Sequence, residues 1–203
     1  MWVKICGLAT DVDVDTAVEA GADAIGFVFA PGSPREVSVD TARRLAERVP
    51  EGVETVGVFR GQPIGTVLAV ARASGVGTIQ LHGDEPPADA EAARAAGLRV
   101  IRALAADTWL SEDEEARGAF GDHRLLLDAP DPGAGATFDA TGLVGAAPAG
   151  DWILAGGLRP DNVARLVAAL GPTGVDVSSG VEESRGRKSP ALIREFVAAA
   201  RAV

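Results

Sequence analysis

A single cysteine, two histidines and a shortage of basic residues limit what these 203 residues can do. One thiol cannot close an internal disulfide, and two imidazoles beside one thiol make no zinc constellation. Lys plus Arg is 19 against 29 for Asp plus Glu, a net charge of −10. That balance argues against nucleic acid as a partner, because phosphate backbones demand a basic face. No stretch approaches the ~20 unbroken apolar residues of a membrane span. The opening "MWVKICGLATD" lacks the basic flank, apolar run and small-residue cleavage site of a secretory signal, so the expected location is the cytoplasm. No linker, low-complexity tract or charge run divides the chain, which reads as one domain over residues 1–203.

What is present is a regular alternation. Hydrophobic residues make up 47 % of the chain, enough for a sizeable core. β-rich runs recur as "WVKIC" at 2–6, "AIGFVF" at 24–29, "ETVGVF" at 54–59, "GTIQLH" at 77–82, "LRVIRAL" at 98–104, "RLLLD" at 124–128, "DWILAG" at 151–156 and "GVDVSS" at 174–179. Helical stripes lie between them. Val163, Leu166, Val167 and Leu170 fall at i, i+3, i+4 and i+7, and Leu192, Ile193, Phe196, Val197 and Ala200 repeat the helical pattern in the last segment. Val39, Ala42, Leu45, Ala46 and Val49 form a third stripe. Asp40 and Thr41, Pro86 and Pro87, and Pro160 and Asp161 signal helix starts.

Strict β/α alternation means a parallel sheet, and eight units of roughly 25 residues fit a closed (β/α)8 TIM barrel. An open doubly wound sheet would carry Gly-x-Gly-x-x-Gly after the first strand. "CGLATD" is not that fingerprint, and the glycines of "GVEESRGRK" are wrongly spaced for a Walker loop.

A barrel collects function at the C-terminal ends of its strands. Cys6 ends strand one, His82 strand four and Asp128 strand six, and Arg35 follows strand two. Gly156 and Gly157 end strand seven, and Ser178, Ser179 and Gly180 end strand eight. His123 precedes strand six and belongs to the opposite rim. "LAGGL" before "RPDNV" and "DVSSGVEE" are either ordinary glycine turns or a phosphate cup. Their joint position after strands seven and eight favours phosphate. Backbone N–H groups can hold a dianion in a protein of negative charge.

The other residues leave two readings each. Cys6 is a buried small hydrophobe or a reactive thiol. Asp128, after an apolar run, is a turn-forming aspartate or a partly desolvated carboxyl whose raised pKa suits a proton donor. Arg35 pairs with a surface glutamate or clamps a substrate carboxylate. His82 is a polar pocket wall or a satisfied core histidine.

Together "KICG" at 4–7, "GADAIGFVFAPGSPR" at 21–35, "VGVF" at 56–59, "QLHG" at 80–83, "LLLDA" at 125–129, "LAGGLRPDNV" at 154–163 and "GVDVSSGVE" at 174–182 resemble the phosphoribosylanthranilate isomerase family of tryptophan biosynthesis. The resemblance implies an Amadori rearrangement without cofactor or metal, on a small phosphorylated substrate. By the same resemblance Asp128 is the general acid, Cys6 the general base and Arg35 the anchor of the anthranilate carboxylate. Gly157, Ser179 and Gly180 supply phosphate donors, Gly156 is a substrate-binding residue beside them, and Asp176 and His82 line the pocket. The amides at Gly7 are expected to lower the Cys6 pKa.

The sequence departs from the family in "PGAGATFDAT", with Ala134 inside a glycine run and Ala140 where the family has tryptophan. The alternatives are another sugar-phosphate barrel isomerase or epimerase, or a non-catalytic phosphoribosyl-binding barrel. The bifunctional histidine/tryptophan type has an acidic residue ending strand one, where this chain has Cys6. A monomer is the expected state.

Overall fold

Strand β1 (Trp2–Cys6) pairs in parallel with β2 (Ala24–Val28) on one side and β8 (Gly174–Val177) on the other, which closes the sheet on itself. The computed structural model describes residues 1–121, 123–128, 143 and 145–203. Between β2 and β8 run β3 (Glu54–Phe59), β4 (Thr78–Leu81), β5 (Arg99–Ala105), β6 (Arg124–Asp128) and β7 (Trp152–Leu154), each beside its sequence neighbour. The helices are α1 (Asp11–Ala20), α2 (Val39–Ala46), α3 (Ile64–Ser74), α4 (Pro87–Ala95), α5 (Ala106–Ser111), α6 (Glu114–Gly118), α7 (Val163–Leu170) and α8 (Pro190–Arg201). This is the eight-stranded α/β barrel that the alternation predicts. Ala134 and Ala140 lie outside the described residues.

Two apolar layers hold it. Strand side chains alternate between the barrel interior and the helices. The interior layer contains Ala24, Val56, Ile101, Leu126 and Ile153. The layer beneath the helices includes Ile25, Phe27, Phe59 and Leu127, packed with Leu45, Leu166 and Phe196. The stripes on α7 and α8 are buried as their spacing requires, although Leu192 is only half-buried.

Several element ends differ from the sequence reading. The last two strands stop early. Gly156 and Gly157 adopt φ of 81° and 61°, left-handed backbone that ends β7 at Leu154, and a 3-10 turn at Ser179–Val181 follows β8. Helix α2 is capped by Ser38, whose hydroxyl accepts from Thr41 N at 3.1 Å. Helix α7 starts at Val163, with Asn162 turned back to accept from Arg159 N at 2.8 Å. An unforeseen antiparallel hairpin, β9 (Glu182–Ser184) and β10 (Arg187–Lys188), lies between β8 and α8.

The N-terminal rim is knitted by charge. Glu54 receives Arg99 at 3.1 Å and Arg124 at 3.4 Å, and His123 lies in this same groove, away from the opposite mouth. No helix among the described residues is long and apolar enough to cross a membrane.

Candidate active site

A cleft of about 380 Å3 opens at the C-terminal mouth of the barrel, and Cys6, Arg35, His82, Asp128, Gly156, Gly157, Asp176, Ser179 and Gly180 all line it. Residues up to 174 positions apart in the chain converge because every parallel strand delivers its last inward side chain to the same rim.

One wall is backbone. The paired left-handed glycines after β7 and the start of the 3-10 turn after β8 present N–H groups of Gly156, Gly157, Ser179 and Gly180 that meet no acceptor among the described residues. The Asn162 amide fixes the first loop by donating to Gly157 O at 2.9 Å. Converging, unpaired N–H groups favour an anion without a net positive charge.

Across the cleft, Asp128 is 7 % exposed at the end of β6. Its Oδ2 lies 3.3 Å from His82 Nε2, while the buried Oδ1 has no partner among the described residues. His82 Nδ1 lies 3.0 Å from Gln80 Nε2, two residues earlier on β4. The tautomer that accepts the Gln80 amide N–H at Nδ1 is the one whose Nε2 N–H faces the carboxyl. Among the described residues Asp128 is thus held by one oxygen, and the other faces no partner. A buried carboxyl oxygen left unpaired costs stability, and such costs collect at functional sites.

Cys6 is 6 % exposed, packed beside Val28 and Val58, and still reaches the cleft. Its environment overturns one expectation. Burial pushes the thiol up, and the nearby Lys4 and Lys188 ammonium groups oppose this without cancelling it. The Gly7 amide does not help, because it donates to Gly26 O at 2.9 Å within the sheet.

Arg35 is the second surprise. Its Nε and Nη2 donate to Glu182 at 2.6 and 3.0 Å, so the glutamate partner exists but is buried. Among the described residues both Nη1 N–H groups and the second on Nη2 meet no acceptor. Lys188 completes this web, donating to Glu182 at 2.9 Å and to Ser178 O at 2.9 Å. Sequence reading missed Lys4, Gln80, Glu182 and Lys188. For the first two the signal was available, since each lies two positions before a candidate on the same strand face.

The web has a pH signature. Burial would raise the Glu182 carboxyl, but the Arg35 and Lys188 hydrogen bonds outweigh it and hold it at about 2. A carboxyl depressed on folding stabilises above its unfolded pKa of about 4.3 and loses that contribution as pH falls toward the folded value. The contribution is on the order of 3 kcal/mol at neutral pH. Urea midpoints measured from about pH 5 down to about pH 3 should therefore fall more steeply for the native chain than for Glu182→Gln. Parallel slopes would contradict the ion web.

Comparison with known proteins gives a consistent result. The family model for N-(5'-phosphoribosyl)anthranilate (PRA) isomerase matches residues 3–199. The N-(5'-phosphoribosyl)anthranilate isomerase of Geobacter metallireducens is 44 % identical, with 98 % of each chain covered. A crystal structure of TrpF from Jonesia denitrificans superposes with a TM-score of 0.89 at 44 % identity, covering 100 % of this chain and 98 % of that one. Phosphoribosyl anthranilate isomerase in complex with reduced 1-(o-carboxyphenylamino)-1-deoxyribulose 5-phosphate superposes at 0.84 and 34 % identity, with 100 % of each chain covered.

Proposed function

We propose a division of catalytic labour for a chain that belongs to the N-(5'-phosphoribosyl)anthranilate isomerase family. Its activity is the isomerisation of N-(5'-phosphoribosyl)anthranilate to 1-(2-carboxyphenylamino)-1-deoxyribulose 5-phosphate in tryptophan biosynthesis. Within that reaction Asp128 is the general acid and Cys6 the general base. The single observation that carries this reading is that the thiol and the carboxyl share a cleft in which one carboxyl oxygen and four backbone N–H groups meet no partner among the described residues.

The 5-phosphate sits against Gly156, Gly157, Ser179 and Gly180, where backbone donors fit a dianion. Asp128, protonated, gives its proton to the furanose ring oxygen. The C1–O bond breaks and the anilino nitrogen supplies the electron pair, forming an iminium ion. His82 keeps the carboxyl turned toward the ring. The iminium acidifies C2, whose proton passes to the Cys6 sulfur, giving an enolamine that tautomerises to the ketone. The base is the Cys6 thiolate, and the small fraction present suffices because an iminium-activated carbon is a far stronger acid than a simple sugar carbon.

Arg35 meets the anthranilate carboxylate through the N–H groups that Glu182 leaves open. Arg35→Ala should raise KM about 10-fold or more with kcat largely kept, as expected for a lost charge-assisted bond in the ground state. Unchanged KM in steady-state assays would remove the assignment. Asp176 supports the site from the barrel interior.

A non-catalytic phosphate-binding barrel would gain nothing from a buried carboxyl and a buried thiol that both line the cleft. A second isomerase activity is tested by the same assay. Freshly made phosphoribosylanthranilate should lose its fluorescence on addition of the protein, while the aminoaldose substrate of histidine biosynthesis is left unchanged. The chain acts as a monomer: among the described residues the large apolar side chains left exposed are Val12, Leu110 and Val203, which form no patch in sequence or fold. A working thiol and a biosynthetic role suit the reducing cytoplasm.

A further inference from the structure

Lys4 is a lysine with no solvent exposure, an expensive feature that the mechanism above does not use. It lies two residues before Cys6 on β1, so both side chains enter the barrel on the same face. Its Nζ donates to Asp176 Oδ1 at 2.9 Å, and Asp176 is its direct neighbour across the β1–β8 ladder. The Lys4 stem also meets the thiol. Gly26, paired with Cys6 across the β1–β2 ladder, has no side chain, and both groups fill the space this leaves. A Cβ there would stand 2.9 Å from Cys6 Sγ and 3.2 Å from Lys4 Cε.

Resting on the assignment of Cys6 as base, we propose that Lys4 is a positioning residue that supplies the counter-charge for the Cys6 thiolate, and that Asp176 sets how much of that charge the sulfur receives. An ammonium bonded to one carboxylate keeps part of its field for a second anion, and inside a barrel this field is weakly screened. Burial would lower the Lys4 ammonium, but the Asp176 and Cys6 charges more than offset it, so Lys4 stays charged. The same two groups act on the thiol with opposite signs, Lys4 downward and Asp176 upward.

Other charges surround the sulfur. Lys188 on β10 pulls the thiol down, but is itself bound to Glu182 on β9, which also holds Arg35. His82 after β4 and Asp128 on β6 face the cleft from the far wall and are engaged with each other. Lys4 is the ammonium on the sulfur's own strand face, ion-paired to Asp176, a carboxylate whose removal leaves the ammonium in place.

Because the chain has one cysteine, its thiolate can be titrated by ultraviolet absorbance as a difference against Cys6→Ser. Lys4→Met should move the titration midpoint upward, leaving about tenfold less thiolate at a given pH below it, whereas Asp176→Asn should move it downward. The acid limb of kcat/KM should follow the same two directions. A role in packing alone would not produce opposite shifts. A midpoint that does not move in Lys4→Met, or that moves the same way in both variants, overturns the proposal.

If Lys4→Met does not fold, because Asp176 is left buried alone, Asp176→Asn carries the test with the double variant Lys4→Met/Asp176→Asn. The first must fall below the native midpoint and the second must lie above the first, or the proposal fails. An active Cys6→Ser enzyme would remove the base assignment without touching the titration. An inactive one with a titration indifferent to Lys4 would remove this inference alone.

Discussion

Cys6→Ser and Asp128→Asn should each lower turnover by about 10²–10⁴-fold while the protein still binds a phosphorylated product analogue. A serine hydroxyl is too weak a base for the C2 proton, and asparagine cannot release one to the ring oxygen. Both replacements are nearly isosteric in positions that are 6 % and 7 % exposed, so the cleft keeps its shape. Asp128→Asn has an additional feature. The carboxyl's Oδ2 faces His82 Nε2 at 3.3 Å, and an amide can still accept there, so His82 keeps its orientation. The loss is therefore expected in kcat, with analogue affinity by calorimetry within a few-fold of native. Activity above about a tenth of native in either variant would contradict acid–base roles of ordinary size.

Gly180→Ala is the second large effect, and it acts on binding and stability together. The new Cβ would stand 1.7 Å from Leu158 O and 2.9 Å from its carbonyl carbon. Both are backbone atoms, so no side chain can swing away. The loops after β7 and β8 must separate, and the N–H groups of Gly157 and Gly180 then no longer converge on one anion. Overpacking of this kind costs about 1–3 kcal/mol, and more where backbone must move. For a chain of this length each kcal/mol lowers Tm by about 2–4 °C. KM should rise about 100-fold, with inorganic phosphate losing its competitive inhibition in parallel. Ser179→Ala, which adds no atoms, is the control. A native KM in Gly180→Ala would mean that the phosphate lies elsewhere.

Much of this was legible in the residues. The period-2 runs, separated by stripes of period near 3.6, specify parallel strands and covering helices, because each pattern buries an apolar face in one secondary structure only. Their number leaves closure as the way to avoid exposed edges. Once the strands are placed, Cys6, His82 and Asp128 are assigned to one rim by position alone. The glycine pair after β7 is similarly local, since a positive φ is a property of the residue itself.

What the tertiary structure alone decided is who faces whom. Arg35 meets Glu182 across 147 positions and Lys4 meets Asp176 across 172. Neither pairing leaves a trace in spacing, because both depend on how the barrel closes β8 against β1. The same closure reversed the expected direction for the thiol, since burial acts through three-dimensional surroundings and the Gly7 amide was already used in the sheet. The hairpin after β8, too short to show a period, was likewise visible only once folded. The sequence determines which groups arrive at the mouth because backbone geometry is local. Their charge states and partners are set by solvent exclusion and distance, and these exist only after the chain has folded.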